Sequence, residues 1–131
     1  MIYVDTSVLL AHLLAEDRRP PAGLWGEVLI ASRLAEYELW TVLHGRGLGK
    51  SHGAVAREVL SRVSLVELMP VVLARVLEPF TRPVRTLDAM HLATIAYLRH
   101  ARQEVALATY DERMSSAARA LGIPLYKLGK A

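Results

Sequence analysis

The segment MIYVDTSVLLAHLLAE, residues 1–16, indicates the fold class, because an apolar strand passes directly into a helix. Ile2, Tyr3 and Val4 form a short β-prone run, typical of a strand that is buried on both faces of a sheet. Thr6 and Ser7 follow and are good helix caps, so the sequence predicts a helix from there to about Glu16. A buried strand followed at once by a helix is typical of an α/β protein.

The rest of the chain continues this alternation of strands and helices. Four further strands are predicted in EVLIAS (27–32), SLVELMP (64–70), EVALATYD (104–111) and IPLYKL (123–128). Helices are predicted in SRLAEYELWTVLHG (32–45, with Ser32 as N-cap), SHGAVAREVLSRV (51–63), 70–77, 86–100 and DERMSSAARALG (111–122). This order favours a parallel sheet with helices on both faces, in which ligands bind beyond the carboxyl ends of the strands.

Composition narrows the classes of protein. The 131 residues suit a single domain spanning 1–131, and the absence of cysteine excludes disulfides, thiolate chemistry and cysteine-ligated zinc. It also fits a cytoplasmic protein. No apolar run reaches the length of a membrane span, and the VLLAHLL segment lacks the basic flank of a signal peptide, so no membrane partner is expected. The net charge of +3 favours an anionic partner.

Three aspartates lie where an ordinary structural role is available. Asp5 and Asp111 follow predicted strands and precede predicted helices, so either residue suits an N-cap. Asp88 lies in the first turn of its helix, where the helix dipole favours a negative charge. For any one of them, capping is the simpler interpretation, but Asp5 and Asp111 also fall at the ligand-binding end of a parallel sheet.

Glu38 has no such role, because it lies in the middle of a helix. It has no basic residue three or four positions away, whereas Glu36 has Arg33 one turn earlier and is predicted to be solvated. Glu38 and Asp88 therefore pose the same problem of an unpaired carboxylate beside an apolar helix face, which is costly to bury without compensation. A shared hard cation such as Mg²⁺ or Mn²⁺ would compensate these charges, and such carboxylate sites serve phosphodiester chemistry.

Four segments, in order, resemble the PIN domain family, most closely its VapC-type toxins. They are IYVDTSVLL (2–10), SRLAEYELWTVL (32–43), RTLDAMHLATIAYL (85–98) and ATYDERMSSAARALGIPL (108–125). The most specific piece is LDAMHLAT, residues 87–94, and the match extends over nearly the whole chain.

The resemblance implies a three-layer α/β/α sandwich with a mainly parallel sheet, and a metal-dependent endoribonuclease that uses Mg²⁺ or Mn²⁺. It implies RNA as substrate, a cognate antitoxin and a homodimer as partners. The implied catalytic and metal-binding residues are Asp5, Glu38, Asp88 and Asp111, with Thr6 and Thr109 in supporting positions. Some family members carry a further acid just after the fourth position, where this chain has Glu112 followed by Arg113.

Two alternatives belong to other functional classes. A metal-dependent phosphatase of the haloacid-dehalogenase type would need a second aspartate two residues after Asp5, where Ser7 stands. A catalytically inactive module that binds RNA or protein would have no reason to retain all four acids. His91, one turn after Asp88, is interpreted as a residue of the surface or of the core edge, without a role in the site.

Overall fold

The central sheet is parallel, as the alternation of elements predicts. The structure is a computed structural model that describes residues 1–15 and 17–129. Its described residues form a four-stranded sheet in the order β3-β2-β1-β4, with every neighbouring pair parallel. The strands are β1 (Ile2–Val4), β2 (Leu29–Ser32), β3 (Val63–Val66) and β4 (Ala106–Ala108).

Helices connect these strands and lie on both faces of the sheet. They are α1 (Thr6–Leu13), α2 (Leu34–Gly45), α3 (Gly49–Ser61), α4 (Pro70–Ala74), α5 (Thr86–His100) and α6 (Glu112–Ala120). Short 3₁₀ segments at Ala22–Gly26 and Arg75–Leu77 complete the regular structure of the described chain. None of the helices in residues 1–15 and 17–129 has the length and apolar character that crossing a membrane requires.

Two hydrophobic cores, one on each side of the sheet, confirm the three-layer α/β/α sandwich. Side chains alternate between the faces along β1, so Ile2 and Val4 point into one core and Tyr3 into the other. The first core contains Leu9 from α1, Leu39 from α2 and Val59 from α3. The second core contains Leu92, Ile95 and Met114 from α5 and α6. Strand β1 is therefore buried on both faces, as its apolar sequence predicts.

The predicted C-terminal strand in residues 123–128 is wrong. This segment makes one isolated parallel bridge, between Leu107 and Leu125, in place of a continuous ladder. The amide of Leu107 donates to the Pro124 carbonyl and the amide of Tyr126 donates to the Leu107 carbonyl. Pro124 has no N–H to donate, which limits pairing along this edge of the sheet.

The N-cap positions of the first two helices differ in part from the prediction. Asp5, not Thr6 or Ser7, is the N-cap residue of α1, and its side chain makes no capping hydrogen bond. Helix α1 ends at Leu13, and the predicted end at Glu16 lies outside the described residues. Ser32 ends β2 and Arg33 is the N-cap residue of α2. The Ser32 hydroxyl nevertheless accepts a hydrogen bond at 3.1 Å from the amide of Leu34, the first residue of α2.

Candidate active site

Four acidic side chains from four different elements lie near the carboxyl edge of the sheet. Asp5 directly follows β1, Asp111 follows β4, Glu38 lies in α2 and Asp88 is the third residue of α5. Burial, followed by the negative charges of Asp111 and Asp5, raises the pKa of Asp88 above its ordinary value. We refer to Asp5, Glu38, Asp88 and Asp111 as the acidic cluster, since their charges act on one another or on a shared neighbour.

That shared neighbour is His91, which faces three members of the acidic cluster. Burial lowers the pKa of His91, but the hydrogen bond and charge of Glu38 outweigh it, together with the charges of Asp5 and Asp88. The net result is a pKa above the ordinary value for histidine. The charges of the four acids are therefore coupled, and Glu38 is connected to the other three through its interaction with His91.

Hydroxyl groups fix one oxygen of Asp5. Thr109 Oγ1 donates to Asp5 Oδ2 at 2.7 Å, and Ser7 Oγ donates to the same oxygen at 2.8 Å. The amide of Tyr110 in turn donates to Ser7 Oγ at 3.0 Å, and that of Asp111 donates to Thr109 Oγ1 at 3.0 Å. Asp5 is thus held by α1 and by the loop after β4, and Ser7 joins the supporting residues that the sequence had suggested.

Asp111 combines its position in the cluster with a structural role. Its Oδ1 atom accepts hydrogen bonds from the amides of Arg113 at 2.9 Å and Met114 at 3.3 Å, which caps α6. The two readings of this residue are therefore compatible, because capping occupies only one carboxylate oxygen.

Glu38 is not unpaired, which corrects the sequence interpretation. Thr6 Oγ1 donates to Glu38 Oε1 at 2.8 Å, and His91 Nε2 lies 2.5 Å from the same oxygen. Both partners are distant in sequence, so helical spacing could not reveal them. Glu36, as predicted, lies 3.4 Å from Arg33 in a partly exposed ion pair.

His91 is the main residue of the site that sequence reasoning missed. It is 1 % exposed, not a surface or core-edge residue, and its Nδ1 atom lies 2.6 Å from Tyr3 Oη. The available signal was its position three residues after Asp88, on the same face of α5. Ser7 carried a signal as well, since it lies two residues after Asp5.

The donor set fits a hard divalent cation. Within the described residues, no hydrogen bond to protein reaches the second oxygen of Asp5, Glu38 or Asp111, so each keeps one oxygen available to a ligand. No group of three His, Asp or Glu side chains in residues 1–15 and 17–129 has the spacing of a complete metal-ligand set. Mg²⁺ takes only one or two carboxylates directly and fills its other positions with water, so this wider spacing is compatible with it.

Comparisons with known proteins agree with this geometry. The PIN domain family model matches residues 2–120. The chain is 35 % identical over 132 residues to ribonuclease VapC47 of Mycobacterium tuberculosis (strain CDC 1551 / Oshkosh), which covers 93 % of each chain. It is 29 % identical over 136 residues to ribonuclease VapC35 of the same strain, which covers 100 % of this chain and 99 % of that relative.

A solved structure supports the same fold. The crystal structure of Mycobacterium tuberculosis VapC20, described as a toxin that cleaves the sarcin-ricin loop, superposes with a TM-score of 0.68. It is 24 % identical and covers 89 % of this chain and 95 % of that chain, so it bears on the fold alone. A family match over most of the chain, two VapC relatives of matching length and a sandwich with acids at its carboxyl edge lead to one conclusion: the chain belongs to the PIN domain family, in its VapC branch.

Proposed function

We propose that this protein is a Mg²⁺- or Mn²⁺-dependent endoribonuclease that hydrolyses RNA phosphodiester bonds, the toxin of a toxin–antitoxin pair. The observation that carries the proposal is the acidic cluster at the carboxyl edge of the sheet, where three carboxylates each keep one oxygen clear of hydrogen bonds from residues 1–15 and 17–129. The ribonuclease activity named for VapC47 and VapC35 supports the same assignment.

The side chains of the cluster would hold the cation and orient the reactants. When bound, the ion supplies activation of a water molecule and compensation of the negative charge that develops on the phosphate. Thr109 and Ser7 restrain Asp5, while Thr6 and His91 restrain Glu38, so two of the proposed ligands start in fixed orientations. Without a cation, the carboxylates would repel the phosphate of an approaching RNA strand.

A cationic cavity beside the cluster supports RNA as the substrate. It has a volume of about 570 Å³, and Thr109, the residue that donates to Asp5, is one of its lining residues. Arg18, Arg119 and Lys127 line it, against one acid, Glu112. The Arg18 guanidinium lies 4.8 Å from the centre of the Tyr110 ring. Positive side chains beside the cluster suit the flanking phosphates of an RNA chain, since such contacts position the nucleic acid.

Partners and location follow from the same proposal. The protein would bind a cognate antitoxin and form a homodimer in the cytoplasm, where cellular RNA is found. Exposed apolar side chains are available to such interfaces: Leu77 is 89 % exposed, Val71 62 % and Tyr37 60 %.

Incubation of the purified protein with RNA and, separately, with a phosphomonoester such as p-nitrophenyl phosphate tests the function. We expect internal cleavage of the RNA in the presence of Mg²⁺ or Mn²⁺ and no release of p-nitrophenol. Hydrolysis of the phosphomonoester alone would indicate a phosphatase. Binding of RNA without cleavage in either metal would indicate an inactive module.

The repulsion within the cluster predicts a gain in stability when one charge is removed. The pKa of Asp88 is raised in the folded state, so its protonated form favours folding, and this contribution is lost as the pH rises through that pKa. At neutral pH the ionised side chain therefore destabilises the metal-free fold. Asp88→Asn should raise Tm in EDTA by up to about 4 °C, since solvent screening of this partly exposed group keeps the effect at about 1 kcal/mol or less.

Thermal unfolding of the parent, Asp88→Asn and Glu36→Gln, each with EDTA and with Mn²⁺, measures this effect. Mn²⁺ should stabilise the parent more than Asp88→Asn, because a ligand stabilises only the state that binds it. Glu36→Gln should respond to Mn²⁺ as the parent does, since Glu36 pairs with Arg33 at 3.4 Å. A clearly lower Tm for Asp88→Asn in EDTA would mean that Asp88 is a structural residue.

A further inference from the structure

A buried chain of hydrogen bonds connects the interior of the sheet to the acidic cluster. The amide of Ser32, at the end of β2, donates to Tyr3 Oη at 3.1 Å. Tyr3 Oη lies 2.6 Å from His91 Nδ1, and His91 Nε2 lies 2.5 Å from Glu38 Oε1. The chain therefore crosses from β2 through β1 and α5 to α2, and it ends on one oxygen of a proposed metal ligand.

The order of donors along this chain follows from the chemistry of its groups. A backbone amide only donates, so Tyr3 Oη accepts from Ser32 and its own proton is available to His91 Nδ1. A neutral imidazole that accepts at Nδ1 carries its proton on Nε2, and an imidazolium carries a proton there as well. In both forms His91 Nε2 donates to Glu38, so the direction of the final bond does not depend on the charge of His91.

This chain of hydrogen bonds is rigid because most of the residues that form it lie in the core. Tyr3 and Ser32 are 0 % exposed and His91 is 1 % exposed, while the Glu38 side chain is 22 % exposed. The His91 ring meets the Tyr3 ring edge-on, at 78° and 5.8 Å between centroids, which fixes the ring plane as well as the nitrogen. Glutamate is a long side chain with several rotamers, so an immobile donor on Oε1 restricts where its other oxygen points.

We propose that His91, anchored by Tyr3, is a positioning residue that orients the Glu38 carboxylate for a divalent cation. This inference rests on the proposed function, because it takes Glu38 to be a metal ligand. Partners of this kind, which hold a ligand without touching the ion, typically account for about 10–100-fold in metal affinity or activity. A histidine that served only to fill the core would have no such effect, since its loss would alter stability and leave metal affinity unchanged.

Mn²⁺ affinity, measured by isothermal titration calorimetry, is the first readout that distinguishes these roles. His91→Leu removes the donor and keeps an apolar side chain, and we expect about 10–100-fold weaker binding of Mn²⁺. His91→Gln retains an N–H near the position of Nε2 and should bind Mn²⁺ more tightly than His91→Leu. Tyr3→Phe removes only the anchoring hydroxyl and should weaken binding several-fold.

Ile95→Ala is the matched control, because Ile95 is buried like His91 and lies one turn further along α5. It should lower Tm and leave the Mn²⁺ affinity within about twofold of the parent, as expected for a residue of the core alone. If His91→Leu fails to fold, the comparison of Tyr3→Phe and His91→Gln with the parent gives the same information.

The outcomes separate this inference from the proposed function. A parent chain that binds no Mn²⁺ would overturn both. If the parent binds Mn²⁺ and the His91→Leu or Tyr3→Phe variant binds it with equal affinity, only the role of His91 is overturned. A loss of affinity in Ile95→Ala as large as that in His91→Leu would also overturn it, because general loosening of the core would then explain both.

Discussion

Induction of this protein alone in bacteria should arrest growth, and induction of the Asp88→Asn variant should not. Asn replaces a carboxylate by a neutral amide of the same shape, which removes most of the attraction for a divalent cation. We expect RNA cleavage by the variant to fall about 100-fold or more, since even partners outside the first coordination sphere account for about 10–100-fold in metal affinity or activity. Growth curves after induction, with RNA integrity followed in the same cultures, measure the effect.

Two measurements guard this comparison. An immunoblot of the soluble fraction shows whether both forms accumulate equally, and Tm shows that the variant is folded. Equal growth arrest by the two forms would contradict the nuclease account, because toxicity would then arise from aggregation or from titration of a cellular partner.

Glu38→Gln should nearly abolish RNA cleavage, whereas Glu36→Gln should leave it close to that of the parent. The two glutamates lie two residues apart on α2, yet Glu38 is held by Thr6 and His91 while Glu36 pairs with Arg33. The substitutions are chemically identical, so each variant is the control for the other. Initial cleavage rates at saturating Mn²⁺ provide the measurement.

The opposite ranking of these two variants would show that the wrong glutamate has been assigned to the cluster. Equal activity in both would remove α2 from the site altogether. Both variants should fold as the parent does, since neither side chain lies in the hydrophobic cores.

The architecture was predictable because each element carries a local signal. The apolar run Ile2–Val4 became a strand buried on both faces, and the predicted helix 86–100 agrees with α5. Errors arose where pairing, not local propensity, determines the structure. The segment 123–128 has strand-like residues, but Pro124 limits its pairing with β4.

The acidic cluster was predictable only in part. The sequence predicts that its members follow strands or lie in helices. The resemblance to PIN domains indicated which acids belong together. The partners of Glu38 were not predictable, because Thr6 and His91 reach it from α1 and α5 across the fold. The interpretation of His91 was wrong because helical periodicity shows which face of the helix a residue lies on. It does not show which hydrogen bonds the residue forms with other elements. Tyr3 was read as a strand residue, and nothing in the sequence links its hydroxyl to α5.

The acidic cluster is proposed to hold a divalent cation that is required for RNA cleavage. This role can be tested with the purified parent protein and the Asp5→Asn variant on one RNA substrate. Asp5 is the member of the cluster with two hydroxyl donors on one oxygen, from Ser7 and Thr109, and it directly follows β1. We expect the parent to cleave in Mg²⁺ or Mn²⁺, to stop in EDTA and to resume when excess metal is added, while folded Asp5→Asn stays inactive throughout. Cleavage by the parent at an undiminished rate in EDTA, or cleavage by Asp5→Asn at the parent rate, would contradict the proposal that the acidic cluster holds a catalytic cation.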